Sequence, residues 1–211
     1  QPILEFLSAA RKGHDNCIGF GSIYPGMDGF EEVLDEMLAL GLRGIKIHPD
    51  FQKLPIDDES GIETYRAIAR RGLPVLMHMG DNRYDFSSPE RLTNLIRRVP
   101  DLVVIAAHFG GWNAWDQSLA HPQPETVFYD TSSTTPMIPY DMVMRLFETL
   151  GPERFLFGTD FPMWSPSEMV RQFMQYDLGD SLREQILYGN FMKLFGLTDA
   201  QNGDEEERQD V

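Results

Sequence analysis

Short apolar stretches alternate along the chain with longer segments in which apolar side chains recur every three or four positions. The first pattern predicts strands and the second amphipathic helices. Strand candidates are CIGFGSIYP (17–25), GIKIHP (44–49), PVLMHMG (74–80), LVVIAAHFGG (102–111), VFYDTSS (127–133) and FLFGTDFP (155–162). Helix boundaries carry their own signals: Asp28 with Glu31 has the spacing of a capping box, and Ser88-Pro89 and Ser165-Pro166 each set a cap before a first-turn proline. Gly72 and Gly151 stand where helices end. A regular strand–helix alternation implies parallel strands with right-handed crossovers, in an open doubly wound sheet or a closed barrel. Period-two alternation puts Lys46 with His48, Ala106 with His108 and Gly158 with Asp160 on one face, and Ile45, Ile47, Ile105 and Ala107 on the other. Polar groups inside and aliphatics outside predict the barrel. No strand leads into GxGxxG, so a dinucleotide fold is disfavoured.

Size qualifies that picture, because 211 residues fall short of the roughly 250 of a complete eightfold β/α barrel. The expected organisation is one α/β barrel domain over 1–198, incomplete at its amino end, with an acidic, disordered tail over 199–211. With 33 acidic against 18 basic residues and a net charge of −15, the chain would repel polyanions, which excludes nucleic acid as a partner. No apolar run approaches a membrane span, and the first residues lack the pattern of a signal peptide. The lone Cys17 excludes an internal disulfide framework, fits a reducing, cytoplasmic location and is expected to be a small core residue.

The candidate chemistry lies at strand ends. His48, His78 and His108 are 30 residues apart each time, about one strand–helix unit, and each closes its strand, so all three should gather at one rim. Asp160 ends the apolar strand FLFGT, where a carboxylate is costly unless paired. HMGDNRYDFSSPERL (78–92), IAAHFGGW (105–112), FGTDFPMW (157–164) and YGNFMKLFGL (188–197), taken in order, resemble the amidohydrolase superfamily. More narrowly they resemble its "amidohydrolase 2" branch of metal-dependent hydrolases and of amino-carboxymuconate-semialdehyde and resorcylate-type decarboxylases. The resemblance runs from about Gly19 to Leu197 and implies that the six strands are the third to eighth of a TIM-type barrel.

It also implies roles. His78 matches the metal-binding histidine of the fifth strand, His108 the acid/base histidine of the sixth, and Asp160 the aspartate of the eighth, which touches the metal and takes a proton from water. An imidazole suits both ligation and proton transfer. Lys46 and His48 resemble the fourth-strand motif and are expected to contact substrate, as are Arg83, through a bidentate grip on an anionic group, and Trp112, as a wall for a planar ring. Arg83 could equally belong to a salt-bridged loop, Trp112 to the packing under a loop, and Lys46 and His48 to the rim's own structure.

The family's first-strand His-x-His pair is absent from this sequence. The chain is therefore expected to carry half of a site for one divalent ion, Zn²⁺ by preference, held weakly or not at all. Strands 17–25 and 155–162 should flank a gap, covered by an upstream piece or by a second copy in a homo-oligomer. Three readings are open: a hydrolase acting on a small organic acid, lactone or amide through an activated water; a decarboxylase of the same branch; and a non-catalytic remnant or fragment.

Overall fold

The computed structural model describes residues 2–12, 14 and 16–197, so the tail expected at 199–211 lies outside the described residues. Six strands form one parallel sheet in sequence order: β1 (Phe20–Ser22), β2 (Gly44–Ile47), β3 (Val75–Met77), β4 (Val104–Ala106), β5 (Val127–Asp130) and β6 (Phe155–Leu156). Among the described residues β1 and β6 are the two edges. Helices α1 (Pro2–Arg11), α2 (Phe30–Ala39), α3 (Pro49–Gln52), α4 (Ile62–Arg70), α5 (Pro89–Arg98), α6 (Trp115–Ala120), α7 (Tyr140–Leu150), α8 (Pro166–Phe173), α9 (Asp180–Glu184) and α10 (Asn190–Phe195) occupy the connections and the two ends. The predicted alternation is present.

Register separates the two faces of the sheet. Ile45, Val75, Val104 and Val127 pair in one row, and Ile47, Met77, Ala106 and Tyr129 in another. All eight are at most 1 % exposed. They share one core with Leu34 and Met37 of α2, Tyr65 and Ile68 of α4, Leu92 and Leu95 of α5, and Leu146 and Phe147 of α7. Between these rows lies a third, Lys46–Leu76–Ile105–Phe128, in which only Ile105 is fully buried. Directly paired residues of a parallel sheet point to the same side. The helix-facing rows are therefore wholly aliphatic or aromatic, and the opposite row carries the lysine.

This corrects the pairing of Ala106 with His108 and of Ile105 with the outer face: Ile105 shares the row of Lys46, and Ala106 that of Ile47. The alternation fails after Ala106 because the chain leaves strand geometry there. His108 (φ 62) and Phe109 (φ 55) both adopt the left-handed region, in a short 3₁₀ turn. Two consecutive non-glycine residues in that region cost of order 1–3 kcal/mol each unless their surroundings impose it. Here they do. The His108 amide donates to Asp130 Oδ1 at 2.9 Å, Trp115 Nε1 donates to the His108 carbonyl at 3.1 Å, and the Phe109 ring packs 4.9 Å from Phe147 and 4.7 Å from Phe155.

Other expectations differ in detail. The strands are shorter than the apolar runs, because their last residues turn into the loops of the mouth. Helix α2 starts after Gly29, left-handed at φ 70, with no side-chain cap, so the Asp28–Glu31 box does not form. Ser88-Pro89 and Ser165-Pro166 do stand at N-cap and first turn, although neither serine side chain caps a backbone N–H. Cys17 is exposed rather than a core residue. Among the described residues no helix is long and apolar enough to cross a membrane.

Candidate metal centre

The loops that leave the carboxyl ends of β2, β3 and β4 bring three imidazoles together. His48 precedes the single-turn helix α3, and His78 extends β3 by donating its amide N–H to the Ile47 carbonyl at 3.0 Å. Their rings stack with centroids 4.0 Å apart and an angle of 11°. Phe51 covers the other face of His48 at 3.9 Å and 10°. His78 Nδ1 lies 3.1 Å from His108 Nε2, an edge contact between rings whose centroids are 4.9 Å apart. Helix α3 then adds a carboxylate. The turn HPD carries Asp50 back over the mouth, where the Ser87 hydroxyl donates to Oδ2 at 2.9 Å. His48, Asp50 and His78 each offer a ligand atom within 4.8 Å of the others.

Each of the three residues of this corner carries unmet valence. His48 Nδ1, Asp50 Oδ1 and His78 Nε2 are buried and have no hydrogen-bond partner. Asp50 and His78 are 6 % and 9 % exposed, so water does little for them. His78 Nε2 and Asp50 Oδ2 are 3.7 Å apart, too far for a hydrogen bond. Nor are they an ion pair. Burial, helped by the neighbouring His108, His48 and Lys46, drives the His78 pKa down to about 3, while burial raises that of Asp50. His48 falls to about 4, chiefly through burial and then through Lys46 and His108. Both imidazoles are therefore neutral at pH 7, which leaves a lone pair for a cation.

The other predicted residues surround this group. Lys46 projects from the row below; burial lowers its pKa, and the Asp130 and Asp160 carboxylates oppose that fall. Asp160 sits at the left-handed φ of 57 beyond β6, is exposed, and accepts the Ser133 hydroxyl at 2.5 Å. Ser133 in turn accepts Trp164 Nε1 at 3.0 Å. Asp160 stands outside the His48–Asp50–His78 group. The Trp112 ring lies 6.4 Å from that of His78. Gly80, left-handed at φ 77, brings the two loops together, since a Cβ there would stand 2.5 Å from the Trp112 amide nitrogen. Arg83 is on the rim, its guanidinium paired with Asp81 at 2.7 Å and its side chain 64 % exposed. Both residues line a cavity of ≈ 350 Å³ next to the mouth.

Three functional candidates, Asp50, Asp130 and Ser132, are not singled out by the sequence pattern. Asp50 was hidden because its position in KIHPD is two residues past the strand-end histidine, and only the α3 turn brings it back. Asp130 closes β5 as the strand reading expects, and Ser132 lies in the loop beyond it; all of 130–135 is buried, with Asp130 Oδ1 accepting the amides of His108 and Ser132 at 2.9 Å each. The signal was the run DTSSTT, an unusual density of hydroxyls directly after an apolar strand.

Comparison with known proteins decides the family: the amidohydrolase profile matches residues 6–197. The chain belongs to the amidohydrolase family. Solved structures of this family's fold agree. An uncharacterised TIM-barrel protein from Bordetella bronchiseptica superposes with a TM-score of 0.75 at 22% identity, covering 95% of this chain and 73% of that one. A candidate 2-pyrone-4,6-dicarboxylic acid hydrolase from Pseudomonas putida gives 0.70 at 20% identity, over 90% and 76%. A dihydroxybenzoic acid decarboxylase from a Polaromonas species, solved with manganese and 2-nitroresorcinol, gives 0.73 at 15% identity, over 92% and 74%. No curated protein sequence matches the chain. The fold is that of the TIM-type barrel, represented here by six consecutive parallel strands.

Proposed function

We propose that this amidohydrolase binds one divalent cation through His48, Asp50 and His78 and hydrolyses a small carboxylate-bearing lactone, ester or amide at that mouth. The observation that carries the reading is that His48, Asp50 and His78 each bring a ligand atom within 4.8 Å of the others' and each also keeps a buried atom without a hydrogen-bond partner among the described residues. Leaving such atoms unmet costs about 1–3 kcal/mol each, and a cation removes that cost for all three at once. Two imidazoles and one carboxylate suit Zn²⁺ or Mn²⁺, with positions left open for substrate. The donor set exceeds the half-site expected from His78 and Asp160 alone.

Such an ion supplies Lewis-acid polarisation of a substrate oxygen. The chain's own groups do the rest. Lys46, half-buried beneath the mouth, is placed to hold a substrate carboxylate. Asp160, outside the ligand group and accessible to solvent, acts as the base that takes a proton from the attacking water. His108 holds His78 in place, Trp112 closes the side of the mouth next to it, and Arg83 with Asp81 forms the substrate's entry rim.

Decarboxylation is the second reading, supported by the decarboxylases that share this fold and by the same carboxylate-directed Lys46. One experiment tests both. After reconstitution with Zn²⁺ or Mn²⁺, the protein is assayed on lactones, amides and aromatic or dienoic acids, with carbon dioxide followed separately from ring opening. Wild type should hold about one ion per chain and turn over a member of the panel. Asp160→Asn should keep the ion and lose about 10²–10⁴ in kcat. Carbon dioxide release would replace hydrolysis by carboxyl loss, and a protein that retains no ion would sink both.

A further inference from the structure

A hydrogen-bond chain at the mouth runs from Asp130 through Ser132 and His108 to His78, and its first two members have no role in the chemistry just proposed. The direction of each link follows from the end whose role is unambiguous. Asp130 Oδ1 receives the amide N–H groups of His108 and Ser132, both at 2.9 Å, so it is an acceptor. The Ser132 hydroxyl, 2.5 Å from the same oxygen, therefore spends its hydrogen on Asp130. That leaves Ser132 Oγ only lone pairs to offer His108 Nδ1 at 2.9 Å. The Ser132 carbonyl, which can only accept, faces the same nitrogen at 3.1 Å. With two acceptors against it, His108 Nδ1 carries the hydrogen, and in a neutral imidazole Nε2 is then bare. Nε2 of His108 faces His78 Nδ1 at 3.1 Å, so His78 Nδ1 must be the donor. Its Nε2 is left with a free lone pair on the side of Asp50, and this is the buried atom that finds no partner.

We infer that Asp130 and Ser132 are positioning residues that fix the tautomer of His78 through His108, so that His78 Nε2 presents a lone pair to a cation. Neither residue is a member of the His48–Asp50–His78 group. Their effect is to exclude the alternative tautomer, in which Nε2 carries a hydrogen and cannot ligate. Gly158 makes room for the arrangement, since a Cβ there would lie 3.3 Å from both Asp130 and Ser132 side chains. Thr131 Oγ1 secures it by accepting the Gly158 amide at 3.0 Å. The consequence for metal binding rests on the site proposed above, whereas the tautomer assignment does not.

The test uses metal-free protein labelled with ¹⁵N-histidine, read by two-bond ¹H–¹⁵N correlation, followed by titration with Zn²⁺. In wild type, His78 and His108 should both appear as the Nδ1–H tautomer. Ser132→Ala, which leaves the Ser132 carbonyl as the remaining acceptor at His108 Nδ1, should add a detectable Nε2–H form to His78 and weaken Zn²⁺ binding severalfold, and Ser132→Thr, which restores the hydroxyl, should recover both. A wild-type His78 protonated on Nε2 would overturn the inference, as would a Ser132→Ala protein with unchanged tautomers. If the tautomers respond as described but Zn²⁺ leaves the His48 and His78 signals untouched, the metal site is refuted and the positioning role stands.

Discussion

Two polar corners share the mouth, and both are buried. In the loop 130–135 each buried side-chain group has found a partner: Asp130 holds two amides and a hydroxyl, Thr134 Oγ1 donates to the Ser132 carbonyl at 3.0 Å, and Ser133 reaches Asp160. Across the mouth, His48, Asp50 and His78 leave three atoms unmet. Folding satisfies buried polar groups wherever geometry allows. A loop that has done so is structure, complete in itself. In the corner that has not, a bound ligand would meet groups that the chain leaves unpaired.

The contrast breaks most directly at Asp130. Asp130→Ala strips a partner from two buried amides and a hydroxyl, and should cost about 3 kcal/mol or more in urea unfolding. A loss below about 1 kcal/mol would show the loop to be as loose as the corner opposite. His48→Leu is the converse. In metal-free protein it removes an unmet nitrogen and keeps an apolar body against Phe51, so stability should change by less than about 1 kcal/mol. Zn²⁺ affinity should nevertheless fall by about 100-fold, measured by competition with a chromogenic chelator. Equal metal affinity would remove His48 from the site.

The same contrast explains how far the sequence could be read. Alternation of apolar runs with amphipathic segments gave six parallel strands in order, because a helix-facing row such as Ile45–Val75–Val104–Val127 leaves a strong pattern. Spacing brought His48, His78 and His108 to one rim for a related reason: strand ends in a parallel sheet gather at one edge. Periodicity fails where the chain stops being periodic. His108 reaches the mouth through two left-handed residues that no alternation encodes, and the outcome depends on Asp130 and Trp115, 22 and 7 residues away. Asp50 depends on one turn after a proline. The loop 130–135 is legible only as a run of hydroxyls, since its partners come from the turn after β4 and from the segment after β6.

The last test turns on protons and is the gentlest. His78 and His48 titrate near 3 and 4 in the folded protein, against about 6.5 in an unfolded chain, mainly because burial disfavours their charged forms. Between those values the unfolded chain binds protons that the native state refuses, so native stability declines as pH drops below about 6.5 and levels off near 3. Above 6.5 the two histidines contribute no slope. Asp50 acts in the opposite sense: its raised pKa lets the native state take up a proton before the unfolded chain does, which partly offsets the loss at the acid end of the window. For metal-free protein, unfolding free energies from urea titrations at pH 7 and pH 5 should differ by on the order of 2 kcal/mol in favour of pH 7. His48→Leu should flatten that dependence, because it deletes one of the two groups whose protonation unfolding relieves. A wild-type stability independent of pH over this interval would mean that the corner is already open to water, and that its three unmet atoms are solvated rather than waiting for a ligand.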